Sequence, residues 1–146
     1  MKQDYYKLPL DFKRFFEEGG GYLAKCTELE SIDQHIGLLL NTCPGEHRFD
    51  PNYGCRIWDL DFERISSLEQ WKGLFIQYVK QAVTDYEKRI SGVEVSADVR
   101  EVVREEILDN RMVRKRVDIT VRAMLDSTGI PCAFGYKLYL GPLSNE

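Results

Sequence analysis

The sequence lacks the long hydrophobic runs that cross membranes. Its 146 residues contain no apolar stretch of about 18, the length that a transmembrane helix needs. The opening MKQDYYKLPLDF has no apolar core behind its basic residue, so we expect no signal peptide. The four cysteines are scattered and form no CxxC pair. Without an export signal, we expect these thiols to be reduced, as in a cytoplasmic protein.

The sequence also lacks an excess of positive charge. Lys and Arg total 20 against 24 for Asp and Glu, which gives a net charge of -4 and a pI near 5.3. Nucleic acids and anionic membranes attract clustered positive charge, so this balance argues against either as a general partner. The one basic cluster, in residues 111–122, is interpreted as the solvated face of a strand. A length of 146 residues predicts a single domain over residues 1–146, and a composition of 43% hydrophobic and 30% charged residues is ordinary for a soluble globular protein.

Familiar catalytic signatures are absent too. There is no serine nucleophile elbow, phosphate-binding glycine loop or dinucleotide fingerprint. Of the two histidines, His35 lies beside the apolar stripe of a predicted helix and is interpreted as a helix-surface residue. His47 lies between Cys43 and Cys55, at spacings that match no common zinc pattern and without a fourth ligand. We therefore expect no catalytic residue, no metal site and no cofactor.

Two helices are predicted from apolar stripes at helical spacing. The first is SIDQHIGLLLNT, where Ser31 and Gln34 match a capping box and Pro44 follows the end. The second runs from Leu68 to about residue 90, with Ser67 as its cap. Its wide aromatic stripe predicts packing against a sheet.

Strand periodicity dominates the C-terminal third. Residues 93–95 are predicted as a short strand, whereas ADVREVVREEILDN slightly favours a helix. VRKRVDITVRAML and CAFGYKLYLGP then alternate apolar and polar residues around a DSTG turn, which predicts a long antiparallel hairpin. The expected fold is α+β, with N-terminal helices packed on a small, mostly antiparallel sheet that ends in this hairpin. A free hairpin edge is a natural site for strand addition by a partner.

The stretch DYEKRI carries a carboxylate and a guanidinium two residues apart. Glu87 and Arg89 would share a face only if the backbone leaves the helix near Tyr86–Lys88, because residues two apart on a helix diverge. In that case the pair could serve a partner through charge-assisted hydrogen bonds. The alternative is an exposed helix end that contributes little.

The order of these features resembles a known family. A helix ending in LLLNT, then PGEHRFDPNYGCRIWD, then a long helix closing on YEKRI, then a hairpin, is similar to the GPW-like family of contractile-tail baseplate wedge proteins, over about Leu8 to Leu140. The family's first motif corresponds to the stretch from Gly45 to Gly54. Its Glu-Pro-Arg motif corresponds to Glu87-Lys88-Arg89, where Lys88 replaces the proline.

The resemblance implies a structural protein of the TssE branch, found in type VI secretion. Such a protein joins the baseplate wedge to the contractile sheath and initiates sheath polymerisation. Its partners are other baseplate wedge subunits and sheath subunits, with no small-molecule substrate, nucleic acid or membrane insertion. It acts in the cytoplasm, in a baseplate docked at the inner membrane. The implied baseplate-binding residues are Glu87, Arg89, Glu46, Arg48, Tyr53 and Gly54; the implied sheath-binding residues are Arg114, Arg116, Thr120, Arg122, Tyr136 and Leu138.

Three alternatives stay open at this point. The chain could serve a phage tail or another contractile injection machine. It could be a lysozyme-like peptidoglycan hydrolase, with its two carboxylates among Glu46, Asp50, Asp59 and Asp61. It could also be a free-standing protein-binding module. For the structural role, Glu87→Ala or Arg89→Ala is expected to leave the fold intact and to abolish incorporation into the baseplate.

Overall fold

The computed structural model describes residues 3–16, 23–60, 67–105 and 111–140. Helices and strands together form the expected α+β fold. In chain order they are β1 (Tyr5–Tyr6), α1 (Phe12–Phe16), β2 (Lys25–Cys26), α2 (Glu28–Leu40), a 3-10 turn (Arg56–Asp59), α3 (Leu68–Tyr86), β3 (Ile90–Glu105), β4 (Arg111–Leu125) and β5 (Pro131–Leu140).

The last three strands form an antiparallel sheet in the order β3-β4-β5. The predicted hairpin of β4 and β5 is confirmed, and its turn closes with Gly129 at a φ of 69°. β3 pairs with the other side of β4 and carries an irregularity between Ser91 and Glu94, where Gly92 has a φ of 60°. A separate two-stranded ladder joins β1 to β2.

One face of this sheet is covered by helices. Alternate residues of β4, such as Val117, Ile119 and Val121, are buried in one cluster with the apolar stripes of α2 and α3. The residues between them lie on the opposite face, where no described helix covers them. The period-two pattern therefore sets which side of the sheet becomes core. The helix residues in the core are Ile32, Ile36, Leu39 and Leu40 of α2 and Trp71, Phe75, Val79, Ala82 and Val83 of α3.

The predicted capping box of α2 is wrong. The helix starts one turn earlier, at Glu28, where the Thr27 hydroxyl accepts from the Glu30 N–H and the Glu30 carboxylate accepts from the Thr27 N–H. Ser31 and Gln34 lie inside the helix, and their side chains bond to other parts of the chain. The Ser67 cap of α3 is confirmed, but this helix ends at Tyr86 and not near residue 90.

The slight preference for a helix in residues 97–110 is also wrong over the described part. Residues 97–105 belong to β3 and continue the ladder with β4, as in Val99 opposite Val117. Residues 106–110 lie outside the described part. β4 pairs with β5 along one edge, and its other edge is available to β3. This non-local pairing outweighs the weak local tendency of residues 97–105 to form a helix.

No helix in the described part of the chain is both long enough and apolar enough to span a bilayer.

Candidate functional site

The backbone leaves the helical conformation of α3 at Glu87. Glu87 caps the helix with extended dihedrals, φ -103° and ψ 97°, while its N–H still donates to the Val83 carbonyl at 2.9 Å. From there the chain runs extended into β3, so Glu87 and Arg89 share a side, as the sequence required for them to act together. Lys88 stands where the family's proline does, and its Nζ donates to the Thr84 carbonyl at 3.3 Å.

Glu87 and Arg89 pair with each other. The Arg89 Nε and Nη2 donate to the two carboxylate oxygens of Glu87, each at 2.8 Å, and the Arg89 N–H donates to Oε1 at 3.2 Å. Only 2% of the Glu87 side chain is exposed, against 27% of Arg89. A partner therefore meets Arg89 directly and Glu87 only through it.

Two residues of α2 complete the network. The His35 Nδ1 lies 2.7 Å from the Glu87 Oε2, and the Arg89 Nη1 donates to the Ser31 Oγ at 2.8 Å. Reading His35 as a helix-surface residue missed this contact, and Ser31 was assigned to a cap. A usable signal was present: Ser31 and His35 are four residues apart and share a helix face beside the apolar stripe.

These contacts keep Glu87 ionised. Burial alone raises the pKa of a carboxyl, but here the hydrogen bonds from Arg89 and His35 outweigh it and lower the pKa of Glu87 from 4.5 to about 2. The same pairing raises the pKa of Arg89. The charges of Glu87 and Arg89 are paired with each other, so this ion pair can stabilise the α3–β3 junction.

The N-terminal β1–β2 ladder also contacts Arg89. The guanidinium carbon lies 5.3 Å from the centroid of the Tyr5 ring, within cation–π range. β1 is held there by Lys7, whose N–H donates to the Ala24 carbonyl, and by Leu8, whose N–H donates to the Gln34 Oε1. Arg89 thus links α2, α3 and the N-terminal strand.

The Pro44–Trp58 loop is fastened to the end of α2. The Cys55 N–H donates to the Thr42 carbonyl at 2.9 Å, and the Trp58 Nε1 donates to the Leu40 carbonyl at 2.8 Å. Gly54 has a φ of 127°, and a Cβ at this position would lie 2.5 Å from the Thr42 oxygen. Only glycine fits this approach of the two backbones.

Tyr53 joins this loop to the charged network. Its ring centroid lies 6.0 Å from that of His35, 5.2 Å from that of His47 and 5.0 Å from that of Tyr86. Because His35 also contacts Glu87, the loop and the Glu87–Arg89 pair form one packed unit. We call this unit the brace: it consists of the Pro44–Trp58 loop, the Glu87–Arg89 pair, His35, Ser31 and Tyr5.

The residues implied in baseplate binding occupy different depths of the brace. Glu46 and Arg48 are exposed on the loop, whereas Tyr53 is half-buried and Gly54 is buried. Tyr53, Gly54 and the buried Glu87 lie beneath the exposed residues and support them. Of the six residues, Glu46, Arg48 and the exposed parts of Arg89 and Tyr53 are the ones that a partner can contact directly.

The residues implied in sheath binding divide between the two faces of the sheet. Thr120, Arg122 and Arg116 lie on the face that the helices leave open. Tyr136 and Leu138 point the other way: the Tyr136 hydroxyl donates to the Asp33 Oδ1 at 2.7 Å, and Leu138 is only 6% exposed in the core. Arg114 pairs with Val102 in the ladder, and its side chain lies outside the described part.

The open face is mixed in charge, and not basic as the sequence suggested. The Arg116 Nε and Nη2 donate to the two oxygens of Asp118, at 3.1 and 3.0 Å, and Glu94 lies opposite Arg122. Asp98 of β3 lies opposite Asp118. The acidic contribution of β3, from Glu94 and Asp98, was missed because most of β3 was not predicted as a strand.

Among the described strands, β5 lies at the edge of the sheet. In antiparallel ladders, pairs that exchange hydrogen bonds alternate with pairs that do not. The Leu125 N–H donates to the Ile130 carbonyl at 2.9 Å, and the register continues with Ala123 opposite Cys132. No described strand pairs with the other side of β5. The residues that direct their backbone polar groups to this open edge are Ala133, Gly135, Lys137 and Tyr139.

The described side chains include no group of three or more His, Cys, Asp or Glu residues that could hold a metal ion.

Comparisons with known proteins identify a family and two solved structures that this chain resembles. The model of the family described as baseplate wedge protein gp25 matches residues 27–129. A crystal structure of a Geobacter sulfurreducens protein, described provisionally as a tail lysozyme, is similar with a TM-score of 0.59 and 26% identity, covering 82% of this chain and 96% of that one. A chain of a type VI secretion baseplate complex shares the fold with a TM-score of 0.55 and 16% identity, covering 77% of this chain and 93% of that one. No curated protein matches the sequence.

Proposed function

Because the chain belongs to the family of baseplate wedge protein gp25, we propose that it is the TssE-like subunit of a type VI secretion baseplate. Membership of a family of structural baseplate components fits a protein that acts by binding and not by catalysis. In this role the protein joins the baseplate wedge to the contractile sheath and initiates sheath polymerisation. It works in the cytoplasm, in a baseplate docked at the inner membrane.

The brace carries the proposed contact with other baseplate subunits. Its charges are already satisfied internally: Glu87 by Arg89 and His35, and Arg89 by Ser31 and Glu87. Because these polar groups already bond to one another, we infer that the network has a structural role: it holds the loop and the exposed part of Arg89 in one conformation. A fixed surface binds at a lower entropic cost than a mobile one, which is what a permanent assembly needs.

The open edge of β5 carries the proposed contact with the sheath. Unpaired N–H and C=O groups along an edge strand are a template for another chain, and backbone pairing supplies affinity while alternating side chains supply register. Arg122 and Thr120 lie on the adjoining open face, where they can contribute to that register. The first sheath subunit would add a strand here and so begin the lattice.

The provisional name of the Geobacter protein raises a hydrolase as a second candidate. A glycosidase needs one carboxyl with a raised pKa to protonate the leaving group. Glu87 is the one buried carboxylate in the described part of the chain, and its pKa is lowered instead, with both oxygens engaged. These observations argue against Glu87 as that acid.

The direct test is incorporation into a baseplate assembled from the subunits of the same gene locus. Arg89→Lys keeps the positive charge but loses the planar guanidinium group, which donates to both carboxylate oxygens of Glu87. We expect this variant to fold and to be lost from the purified baseplate, while Lys88→Ala, which removes the exposed neighbouring cation, is retained. Normal incorporation of Arg89→Lys would contradict the role assigned to the brace.

Gene neighbourhood separates the related hypotheses. A type VI locus is expected to place sheath, tube and baseplate genes beside this one, without phage head genes. Head genes in the locus would point to a phage tail, and the absence of any sheath or tube gene would point to a free-standing binding module. Failure of the purified protein to clear peptidoglycan in a zymogram is expected in every case except the hydrolase.

A further inference from the structure

The tip of the Pro44–Trp58 loop presents an aromatic ring to solvent. Phe49 is 86% exposed, more than any other large hydrophobic side chain in the described part of the chain. A single exposed apolar residue needs no explanation by itself. Its setting is what distinguishes Phe49.

Two cationic or aromatic neighbours hold this ring in place. The Arg48 guanidinium carbon lies 5.7 Å from the centroid of the Phe49 ring, within cation–π range. The His47 ring meets the Phe49 ring edge-on, at 6.3 Å between centroids. None of the described carboxylates forms an ion pair with Arg48, so its charge remains available to a partner.

The backbone behind the ring is fixed by short-range hydrogen bonds. The Asp50 N–H donates to the His47 Nδ1 at 3.1 Å, and the Asn52 N–H donates to the Asp50 Oδ1 at 3.0 Å. The Tyr86 hydroxyl reaches the same Asp50 oxygen at 3.4 Å. The loop tip is therefore held against α3 before any partner arrives, which reduces the entropy lost on binding.

A line of rings connects Phe49 to the rest of the brace. Phe49 contacts His47, His47 contacts Tyr53, and Tyr53 stacks on His35, which contacts Glu87. The exposed ring is thus continuous with the surface proposed above for baseplate binding. It is the outermost member of that surface.

We propose that Phe49 is the anchor of this contact, seated in an apolar pocket of a neighbouring baseplate subunit whose rim carries carboxylates that pair with Arg48. The proposal rests on the baseplate role proposed above and adds the chemistry of the partner. Aromatic and arginine side chains dominate the binding energy of protein interfaces when they fill a desolvated pocket. Phe49 and Arg48 supply one of each, on adjacent residues and already stacked.

The test measures the affinity of the full chain for the neighbouring baseplate subunits, purified from the same locus. For Phe49→Ala we expect binding at least about 30-fold weaker, the scale of a dominant interface residue. Phe12→Ala is the matched control, because Phe12 is an exposed ring of α1, at 56%, and is expected to leave affinity unchanged. Phe49→Trp is expected to retain binding, and thermal unfolding of all three variants should match that of the wild type.

The charge of the pocket rim is tested through Arg48. Arg48→Glu is expected to weaken binding at low salt more than at high salt, because it replaces attraction to carboxylates by repulsion, and salt screens both. An equal loss at both salt concentrations would overturn the acidic rim.

The outcomes separate this inference from the proposed function. If the wild type binds and Phe49→Ala binds equally well, the anchor is wrong while the baseplate role stands. If the wild type itself fails to join the baseplate, the proposed function fails. If Phe49→Ala abolishes self-association in sedimentation and leaves baseplate binding intact, the occupant is a second copy of this chain and the proposal is overturned.

Discussion

At the scale of single residues, Glu87 stands out because a buried carboxylate is costly unless it is fully paired. Both of its oxygens are engaged, by Arg89 and by His35. Its burial changes the expectation drawn from sequence, where Glu87→Ala was assumed to leave the fold intact. Removing this carboxylate leaves a partly buried guanidinium without its partner, so stability and binding should both suffer.

The first prediction concerns that stability. Glu87→Gln keeps the shape of the side chain but removes its charge, and we expect the free energy of unfolding to fall by about 3 kcal/mol, the scale of a broken buried ion pair. Urea denaturation at pH 7 measures it. Glu46→Gln, at an exposed position, is the control and should behave like the wild type. An unchanged midpoint for Glu87→Gln would show that the network contributes nothing to folding.

The second prediction concerns pH. The pKa of Glu87 is about 2 in the folded protein, below its ordinary value of 4.5, so the unfolded chain takes up this proton first as the pH falls. The stabilisation is therefore complete above about pH 5 and is lost between about pH 5 and pH 2, amounting to about 3 kcal/mol. Comparing the wild type with Glu87→Gln at pH 7 and pH 3 isolates this contribution. The difference between them should shrink at pH 3; a constant difference would contradict the assignment.

At the scale of elements, the Pro44–Trp58 loop depends on glycine in two distinct ways. Gly54 has a φ of 127° and no room for a Cβ, whereas Gly45 has a φ of 97° with open space around it. Gly45→Ala therefore costs only backbone strain, and Gly54→Ala adds a collision with the Thr42 carbonyl. We expect about 1 kcal/mol of destabilisation for Gly45→Ala and about 3 kcal/mol for Gly54→Ala, measured by thermal unfolding. Equal costs would mean that the loop yields to accommodate the methyl group.

The open edge of β5 allows a test that leaves the hairpin intact. The Ala133 N–H faces away from β4, so Ala133→Pro removes an outward donor and no ladder hydrogen bond. We expect this variant to fold, to enter the baseplate and to nucleate sheath poorly, counted as sheaths per baseplate by electron microscopy. Ala133→Val keeps the N–H and is expected to nucleate normally. Normal nucleation by Ala133→Pro would argue that this part of the edge is not used.

Elements with one clear period were predictable, and ambiguous ones were not. The stripe of α3 and the alternation of β4 and β5 each admit one structure, and both were confirmed. α2 offers two consecutive candidate capping boxes, Thr27 with Glu30 and Ser31 with Gln34, and local sequence does not choose between them. The structure uses the first, and Ser31 contacts Arg89, which is 58 residues away.

The brace was only half predictable for the same reason. Glu87 and Arg89 are close in sequence, and the need for an extended backbone between them could be stated in advance. His35 lies 52 residues from Glu87, and no local rule relates the two. Contacts of this kind depend on how α2 packs beside the α3–β3 junction, which the fold alone decides.

At the scale of the whole molecule, helices cover one face of a three-stranded sheet, and no described element covers its other face or pairs with the β5 edge. The brace lies where α3 passes into β3, beside the turn between β4 and β5, as the bond from the Asp126 N–H to the Arg89 carbonyl shows. One hydrophobic core thus underlies both proposed contacts, baseplate and sheath. Such an arrangement suits an adaptor that holds two partners in a defined relative position and catalyses no reaction.

The central claim is that another chain completes the β5 edge, and a map of the assembled baseplate with its first sheath ring tests it most directly. The expected result is an added strand hydrogen-bonded to the backbone of Ala133, Gly135, Lys137 and Tyr139, with Phe49 and Arg89 buried against a wedge subunit. An edge that faces solvent, or that is covered by a segment of this same chain, would contradict the account.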